Sequence, residues 1–137
     1  KEEDEEEEEE GVKWPIALEV ALEAVSGPYE GTTFIIKPRA HRPGSKKSEF
    51  RIPKVGRSTG RAFTRTGLSL SEDDEVSTTH GQFEIKPDGL LHFVDLGSTN
   101  GSQIDGKEVV APTVLRNGTQ LRVGQTKLNV AIKPVSP

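Results

Sequence analysis

Three short clusters of residues carry groups that could bind a phosphate. They are Gly56-Arg57, the segment Ser77-Thr78-Thr79-His80, and the segment from Asp95 to Gly101 (DLGSTNG). An arginine guanidinium presents a planar fork of donors that matches phosphate oxygens. Hydroxyl groups on Ser77 and Thr78 would add donors from a second loop. Thr99 and Asn100 would add more from a third, so the clusters predict a phosphate-binding group of loops.

The same residues do not form a catalytic set. Ser77, His80 and Asp95 could be imagined as a hydrolase triad, but the serine and the histidine are three positions apart at one strand entry, and no G-x-S-x-G elbow is present. The segment from Gly56 to Arg61 (GRSTGR) lacks the G-K-[S/T] ending of a nucleotide phosphate loop. We therefore predict a binding module and not an enzyme.

Composition excludes several other classes. The chain has no cysteine, which excludes disulfides and thiolate chemistry, and its three histidines (His41, His80 and His92) lack the spacing of a helix-borne zinc site. We predict neither a metal nor a cofactor. No apolar run approaches the length of a membrane span, so no membrane association is expected. The lack of cysteine fits a reducing compartment, and we expect an intracellular location in the nucleus or the cytoplasm.

The elements that must position the clusters are predicted to be short strands. Between Val12 and Val25, apolar residues alternate with Ala and Glu, which favours a strand over the helix that the Ala, Leu and Glu content would also allow. Thr33 to Lys37 is its predicted partner. Eight further candidates are Arg51 to Arg57, Leu68 to Ser71, Gly81 to Lys86, Leu90 to Leu96, Ser102 to Ile104, Glu108 to Val110, Gln120 to Val123 and Lys127 to Lys133.

The connections between these strands are of two kinds. Four Asx-Gly pairs supply the positive φ that tight turns need: Asp88-Gly89, Asn100-Gly101, Asp105-Gly106 and Asn117-Gly118. Pro38 to Pro53 and Ser58 to Thr66 are predicted to be long loops. Short strands at this spacing, with no convincing helix, predict an all-β sandwich.

Charge divides the chain into a tail and a domain. Residues 2–10 hold nine acids, which predicts a disordered acidic tail over residues 1–11. Residues 11–137 carry 17 bases against 13 acids, a net charge of about +4. We predict a folded domain over residues 12–134 and a short C-terminal tail over 135–137. Two roles for the acidic tail stay open: a solvating linker, or a segment that folds back over the phosphate site at low salt.

A basic stretch leaves a second function open. Ten bases and one acid, Glu49, lie between Lys37 and Arg65. The stretch is either a solvated loop face or a surface for an anionic ligand such as phosphate or nucleic acid. Only Phe50 and Phe63 are available there to stack on bases. An electrostatic nucleic-acid binder is therefore kept as the alternative function.

The order of the motifs resembles that of the forkhead-associated (FHA) domain family. The family pattern is G-R, then S-x-x-H, then a turn close to S-T-N-G, then a second N-G or D-G turn. Here these motifs are Gly56-Arg57, Ser77-x-x-His80, Ser98-Thr99-Asn100-Gly101 and Asp105-Gly106. The resemblance covers about residues 14–133. It implies an FHA-type β-sandwich of about eleven mostly antiparallel strands.

The resemblance also implies a function and a set of contacts. The expected function is recognition of phosphothreonine in partner proteins, by a monomeric domain acting as a signalling or assembly adaptor within a larger protein. By position, Arg57 would contact the phosphate, and Ser77 would donate to it with Thr78 beside it. Thr99 and Asn100 would hold the peptide backbone on either side of the phosphothreonine.

Other motif residues would support or tune that site. Gly56, His80 and Gly101 are expected to be framework: a close approach, a buried imidazole that braces loops, and a turn. Glu75, two positions before the motif serine, is expected to read the third residue after the phosphothreonine.

The chain also departs from the family pattern. Arg57 and Ser77 are 20 residues apart, a longer separation than is usual in the family. Thr78 stands where members often carry a basic residue, so Arg61 or Arg65 is expected to take its place.

Overall fold

The computed structural model describes residues 11–46 and 50–135. Within those ranges, the chain forms twelve strands and a helix of four residues, arranged as two sheets. This confirms the predicted β-sandwich. Residues 1–10 of the predicted acidic tail and residues 136–137 of the C-terminal tail lie outside the described residues. No helix in the described part is long and apolar enough to cross a membrane.

The strands are numbered in chain order, and the helix is α1 (Arg61–Thr64). The strands are β1 (Ile16–Ser26), β2 (Thr33–Ile36), β3 (Arg39–Ala40), β4 (Lys54–Gly56), β5 (Leu68–Ser69), β6 (Gly81–Ile85), β7 (Leu91–Asp95), β8 (Ser102–Ile104), β9 (Lys107–Glu108), β10 (Thr113–Val114), β11 (Gln120–Val123) and β12 (Thr126–Pro134).

Two sheets pack face to face around one core. The larger sheet has seven strands in the order β2-β1-β12-β11-β8-β9, with β3 also paired to β1. The smaller sheet has the order β10-β7-β6-β4-β5. Alternation along each strand supplies the core: β1 buries Val20, Leu22 and Ala24 and turns the residues between them outward. In the smaller sheet, the fully buried rings of Phe83 and Phe93 meet edge to face.

The structure differs from the sequence prediction in its shortest elements. The predicted loop from Pro38 to Pro53 contains β3, whose Arg39 also bridges to Arg51. The predicted loop from Ser58 to Thr66 contains α1. Strand β10 was not predicted, because its two residues are strand only through their pairing with β7.

Strand β1 defines two ends of the sandwich. At its beginning, Leu18 pairs with Pro134, and the amide of Val135 donates to the carbonyl of Ala17 (2.9 Å). Both ends of the described chain therefore emerge at what we call the terminal end. At the other end of β1, the Ser26 hydroxyl donates to the Gln125 carbonyl (3.0 Å). We call that end, about 33 Å away along an eleven-residue strand, the loop end.

Candidate functional site

Three loops meet at the loop end because the strands that carry them are neighbours. We call them loop A (residues 57–67, after β4), loop B (70–80, between β5 and β6) and loop C (96–101, between β7 and β8). Strands β7, β6 and β4 lie side by side in the smaller sheet, with antiparallel pairing between β7 and β6 and between β6 and β4. The end of β4, the start of β6 and the end of β7 therefore lie at one edge. All the predicted binding residues are on these loops.

Arg57 begins loop A and is held against loop B. Its amide donates to the carbonyl of Ser77 (3.0 Å), and its Nε donates to the carbonyl of Val76 (2.5 Å). The side chain is exposed, and its two terminal nitrogens make no hydrogen bond to any described residue. Anchoring through Nε fixes the plane of the guanidinium, while the remaining donors face solvent.

Ser77 joins loop B to loop C. Its Oγ accepts a hydrogen bond from the amide of Thr99 (2.9 Å). A hydroxyl has one proton to donate and two lone pairs, so this contact leaves the Ser77 proton free for a ligand. The neighbouring Thr78 is exposed, and its carbonyl accepts from the amide of Ser58 (3.2 Å) in loop A. Loops A, B and C thus converge within hydrogen-bonding distance of one another at Ser77.

His80 is fully buried beneath these loops and bridges two of them. Its Nδ1 accepts from the amide of Ser77 (3.0 Å), so in the neutral ring the proton is on Nε2. Nε2 then donates to the carbonyl of Gly101 (3.0 Å) and lies 3.1 Å from the Ser102 hydroxyl oxygen. Burial lowers the pKa of His80, and this outweighs the hydrogen bond to Gly101 and the nearby carboxylates that act the other way. The imidazole is therefore a neutral brace.

Asp95 organises loop C. Its two oxygens accept from the amide of Ser98 (2.8 Å) and from the hydroxyls of Ser98 (2.6 Å) and Ser102 (2.5 Å). Partial burial would raise the pKa of Asp95, but the hydrogen bonds from Ser102 and Ser98 outweigh it and the pKa is lowered. Ser98 Oγ in turn accepts from the amide of Gly101, which has a φ of +80°. The turn that presents Thr99 and Asn100 is thus bonded internally.

A cleft of about 210 Å³ opens beside Asn100. The Asn100 Nδ2 donates to the carbonyl of Glu75 (2.9 Å), and the Glu75 carboxylate accepts from the Gln125 side chain (3.2 Å). The cleft is also lined by Glu108 and Arg122. It therefore offers two carboxylates and one guanidinium to a residue that enters it.

Two features that support the site could not be identified from the sequence. Asp73, 1% exposed, accepts from the amides of Glu75 (3.1 Å) and Gln125 (2.9 Å) and from the Thr126 hydroxyl (2.6 Å). It lies in an acidic run (EDDE), where nothing but its burial distinguishes it from its neighbours. The carbonyl of Val76, which anchors Arg57, is a backbone atom that carries no signal in the sequence.

Gly56 permits the close approach of β4 to loop B. A Cβ at this position would lie 2.1 Å from the Thr78 carbonyl oxygen and 3.0 Å from a ring carbon of Phe63. No side chain could occupy that space without moving backbone. The position of Arg57 therefore depends on the glycine that precedes it.

The basic stretch from Lys37 to Arg65 is divided by the fold. Arg57 lies at the loop end, Lys54 donates to the Gln82 side chain (2.9 Å), and Arg65 lines a groove with Lys37 and Arg51 at the side of the sandwich. Arg61 is exposed on α1. Among the described bases of the stretch, Arg57 therefore lies apart from the groove that holds Lys37, Arg51 and Arg65.

Comparison with known proteins identifies the family. A protein-family model described as the FHA domain matches residues 54–124, more than half of the chain. The chain belongs to the FHA domain family. The match runs from β4 to the turn after β11, so it includes the three loops. FHA domains are recognition modules.

Solved structures of other FHA domains share the fold. One comes from a study of phosphothreonine-dependent FHA domain interactions; it is 21% identical, with a TM-score of 0.60, and the match covers 85% of this chain and 99% of that one. The FHA domain of an Arabidopsis thaliana hypothetical protein is 23% identical (TM-score 0.60; 87% of each chain). An engineered FHA domain with a Myc-pTBD peptide is 24% identical (TM-score 0.58; 88% and 92%). No curated protein matches the chain.

Proposed function

We propose that this FHA domain binds phosphothreonine-containing segments of partner proteins at loops A, B and C. The observation that supports the proposal most directly is the convergence of an anchored guanidinium and a free hydroxyl proton, at Arg57 and Ser77, with the amide of Thr99 bonded to the same Ser77 oxygen. A phosphate monoester adds roughly −1.5 to −2 charge and three strong acceptors, which suits these donors. The FHA domain from the study of phosphothreonine-dependent interactions has the same fold.

Each residue has a distinct part in the proposed complex. The terminal nitrogens of Arg57 bind the phosphate, Ser77 donates its hydroxyl proton, and the exposed Thr78 adds a donor beside it. Thr99 and Asn100, on the preorganised turn of loop C, hold the peptide backbone. Gly56, His80 and Gly101 position the loops and do not touch the ligand.

Substitution of the two central donors tests the proposal. In Arg57→Ala and Ser77→Ala, we expect the affinity for a phosphothreonine peptide to fall roughly 10- to 100-fold for each lost hydrogen bond to the phosphate, because such bonds contribute about 1.5–3 kcal/mol. Isothermal titration calorimetry with the phosphorylated and unphosphorylated forms of one peptide measures the effect.

The matched control is Arg116→Ala. Arg116 is also exposed, but it follows β10 at the terminal end, where the next turn bonds to β12: the Gly118 amide donates to Val130 and the Asn117 side chain accepts from Ile132. The Arg116→Ala protein should bind the phosphothreonine peptide with the same affinity as the unaltered protein. Equal affinities for the two forms of the peptide, or an Arg57→Ala protein that binds normally, would exclude the proposed site.

We propose further that Glu75 selects a basic residue at the third position after the phosphothreonine. Its carboxylate lines the cleft beside Asn100, where Glu108 adds a second negative charge. A Lys or Arg of the ligand would meet both carboxylates. The neighbouring Arg122 is held back by its Nε hydrogen bond to the Gly124 carbonyl (3.0 Å).

Charge reversal at Glu75 tests this selectivity. In Glu75→Lys, we expect the preference among otherwise identical phosphopeptides to change from Lys to Glu at the third position, because the charge in the cleft has changed sign. Fluorescence anisotropy with the two peptides measures the ratio of affinities. Asp74→Lys changes the same charge at an exposed neighbour and should keep the original preference. An unchanged ratio in Glu75→Lys would show that this residue does not read the ligand.

Ser77, His80 and Asp95 are not arranged as a catalytic triad for acyl transfer, which supports a role in binding alone. The hydrogen bond between Ser77 and His80 uses the serine amide, while the Ser77 Oγ is bonded to the amide of Thr99. His80 Nε2 lies 3.9 Å from the nearest Asp95 oxygen, beyond hydrogen-bonding distance. Among the described residues there is no cluster of acidic and histidine side chains that could hold a metal ion.

We propose further that the domain acts as a monomer inside the cell. Sedimentation would test the oligomeric state, and imaging of the tagged protein would test the location.

A further inference from the structure

A second charged surface lies on the side of the sandwich, away from the three loops. A groove of about 580 Å³ runs between the edge strand β2 and the end of loop A. We call it the lateral groove. It is lined by Glu19, Ile35, Lys37, Arg51, Arg65 and Thr66. Its apolar part includes Ile35, which is 49% exposed.

The cations of the lateral groove are not neutralised within the described residues. Lys37, Arg51 and Arg65 form no ion pair with any described side chain. The carboxylate of Glu19 is 3.5 Å from the ammonium of Lys133 on the neighbouring strand, so its charge is already shared. Three uncompensated cations in one groove suit an extended acidic segment.

We infer that the lateral groove binds the acidic run of this same chain, residues 2–10. The run carries nine carboxylates, more than enough to match the cations of the groove. The domain that it is attached to carries a net charge of about +4, so attraction is the expected sign of the interaction. The inference uses no phosphopeptide and does not depend on the proposed function.

The acidic run joins the described chain at Gly11, where the side chain of Val12 packs against Gly89 in the turn between β6 and β7, and the chain then enters β1 beside the groove. Ala17, at the beginning of β1, pairs with Arg39, and the amides and carbonyls of Arg39 and Arg51 exchange two hydrogen bonds (3.1 and 2.9 Å). Arg51 is thus two strand spacings, about 10 Å, from the strand that begins the domain.

Charge disfavours the phosphate site as the binding place of the run. Loop B carries the exposed carboxylates of Glu72, Asp74 and Glu75 beside that site, and like charges repel. The lateral groove instead offers three cations that form no ion pair among the described residues. A tethered segment also binds at a high effective concentration, which allows weak contacts to be occupied.

Zero-length carbodiimide cross-linking of the full chain tests the inference, because it joins a lysine to a carboxylate only where the two are in contact. At low salt, we expect Lys37 to be joined to residues 2–10 several-fold more often than Lys107, and the excess to disappear at high salt. Lys107 is the matched control: it is exposed on β9, at the opposite edge of the same sheet. Peptide mass spectrometry identifies the joined pairs.

Two variants and a mixing experiment decide the outcome. Arg51→Glu with Arg65→Glu should abolish the excess at Lys37, and Glu5→Gln with Glu7→Gln and Glu9→Gln should shift the amide resonances of Lys37 and Arg65 without touching the folded domain. A mixture of ¹⁴N- and ¹⁵N-labelled chains should give joined peptides of one isotope only. Equal frequencies at Lys37 and Lys107, unmoved groove resonances, or mixed-isotope products would overturn binding of the run by its own domain.

Discussion

At the scale of single residues, the site depends on side chains that bond to the backbone of another loop. Ser77 accepts from the amide of Thr99, Asn100 donates to the carbonyl of Glu75, and Arg57 donates to the carbonyl of Val76. Beneath them, the neutral ring of His80 accepts from one loop and donates to another. Such a network holds donors in place before a ligand arrives, which lowers the entropic cost of binding.

The buried imidazole gives the protein a pH dependence of known sign. The pKa of His80 is lowered by burial below its ordinary value of 6.5, whereas in the unfolded chain the imidazole keeps a pKa of about 6.5. Below that pH the unfolded state binds the additional proton, so the free energy of unfolding should fall as the pH drops below about 6.5 and should be level above it. Urea unfolding at several pH values measures this.

The contribution of His80 can be separated from that of other groups. In His80→Gln, the fall in stability below pH 6.5 should be smaller than in the unaltered protein, and the difference isolates His80. The pair formed by His92 and Asp88, at 3.4 Å, is common to both proteins and cancels. Direct ¹⁵N titration of the imidazole gives a second measure that does not need the variant. A His80 pKa above 6.5, or stability that rises on acidification, would contradict the neutral brace.

At the scale of elements, the site depends on how closely β4 approaches loop B. Strand β4 ends at Gly56, whose missing side chain leaves room for the Thr78 carbonyl, and the amides of Arg57 and Ser58 bond to the carbonyls of loop B. These two successive backbone hydrogen bonds align loop A with loop B. The helix α1 then buries Phe63 and returns the chain to β5.

Replacement of Gly56 should therefore damage the site. In Gly56→Ala, the new methyl would lie 2.1 Å from a backbone oxygen, and relief of that overlap should displace loop B and lower stability by roughly 1–3 kcal/mol. Phosphopeptide affinity should fall with it, as calorimetry would show. Gly60→Ala is the matched control in the same loop, since Gly60 has a φ of −67° and its nearest neighbour is the movable Ser58 hydroxyl at 3.3 Å. If both variants bind equally well, the close approach is not needed.

The longer elements could be predicted because their signals are local. Alternation marks β1 and β6, and each of the four Asx-Gly pairs places a glycine at positive φ, with Asp105 also positive in the hairpin between β8 and β9. The short elements could not be predicted, since β3 and β10 exist only through pairing with distant strands.

The motif residues of the site could be predicted in position, but their partners could not. Arg57, Ser77 and Asn100 stand out by type and order. The carbonyls and amides that they bond to depend on which loops the sheet brings together. Asp73 was missed because burial, not residue type, separates it from Asp74.

At the scale of the whole molecule, the two sheets are joined at the loop end by a carboxylate. Asp73 lies in loop B, which belongs to the smaller sheet, and it accepts from Gln125 and Thr126 at the turn between β11 and β12 of the larger sheet. A Cβ on Gly124 would lie 2.8 Å from this carboxylate, so the turn fits tightly around it. Loops A, B and C are thereby fixed relative to the cleft that Glu75 lines.

Loss of this carboxylate should weaken the whole fold. In Asp73→Ala, three donors lose their acceptor, and the Thr126 hydroxyl among them stays buried. We therefore expect the free energy of unfolding to fall by about 3 kcal/mol. Urea denaturation followed by fluorescence of Trp14 measures it. Asp74→Ala, at the exposed neighbouring position, should change stability by less than about 0.5 kcal/mol. Similar losses in the two variants would argue against Asp73 as the link between the sheets.

The pairing of Leu18 with Pro134 has a consequence for how the domain can be held. Because the first and last described strands leave the sandwich side by side, a tether at either of them holds the domain by its terminal end. The loop end then faces the solvent. Attachment to a bead, a chip or another polypeptide at one or both termini would therefore leave the proposed ligand site at the loop end accessible.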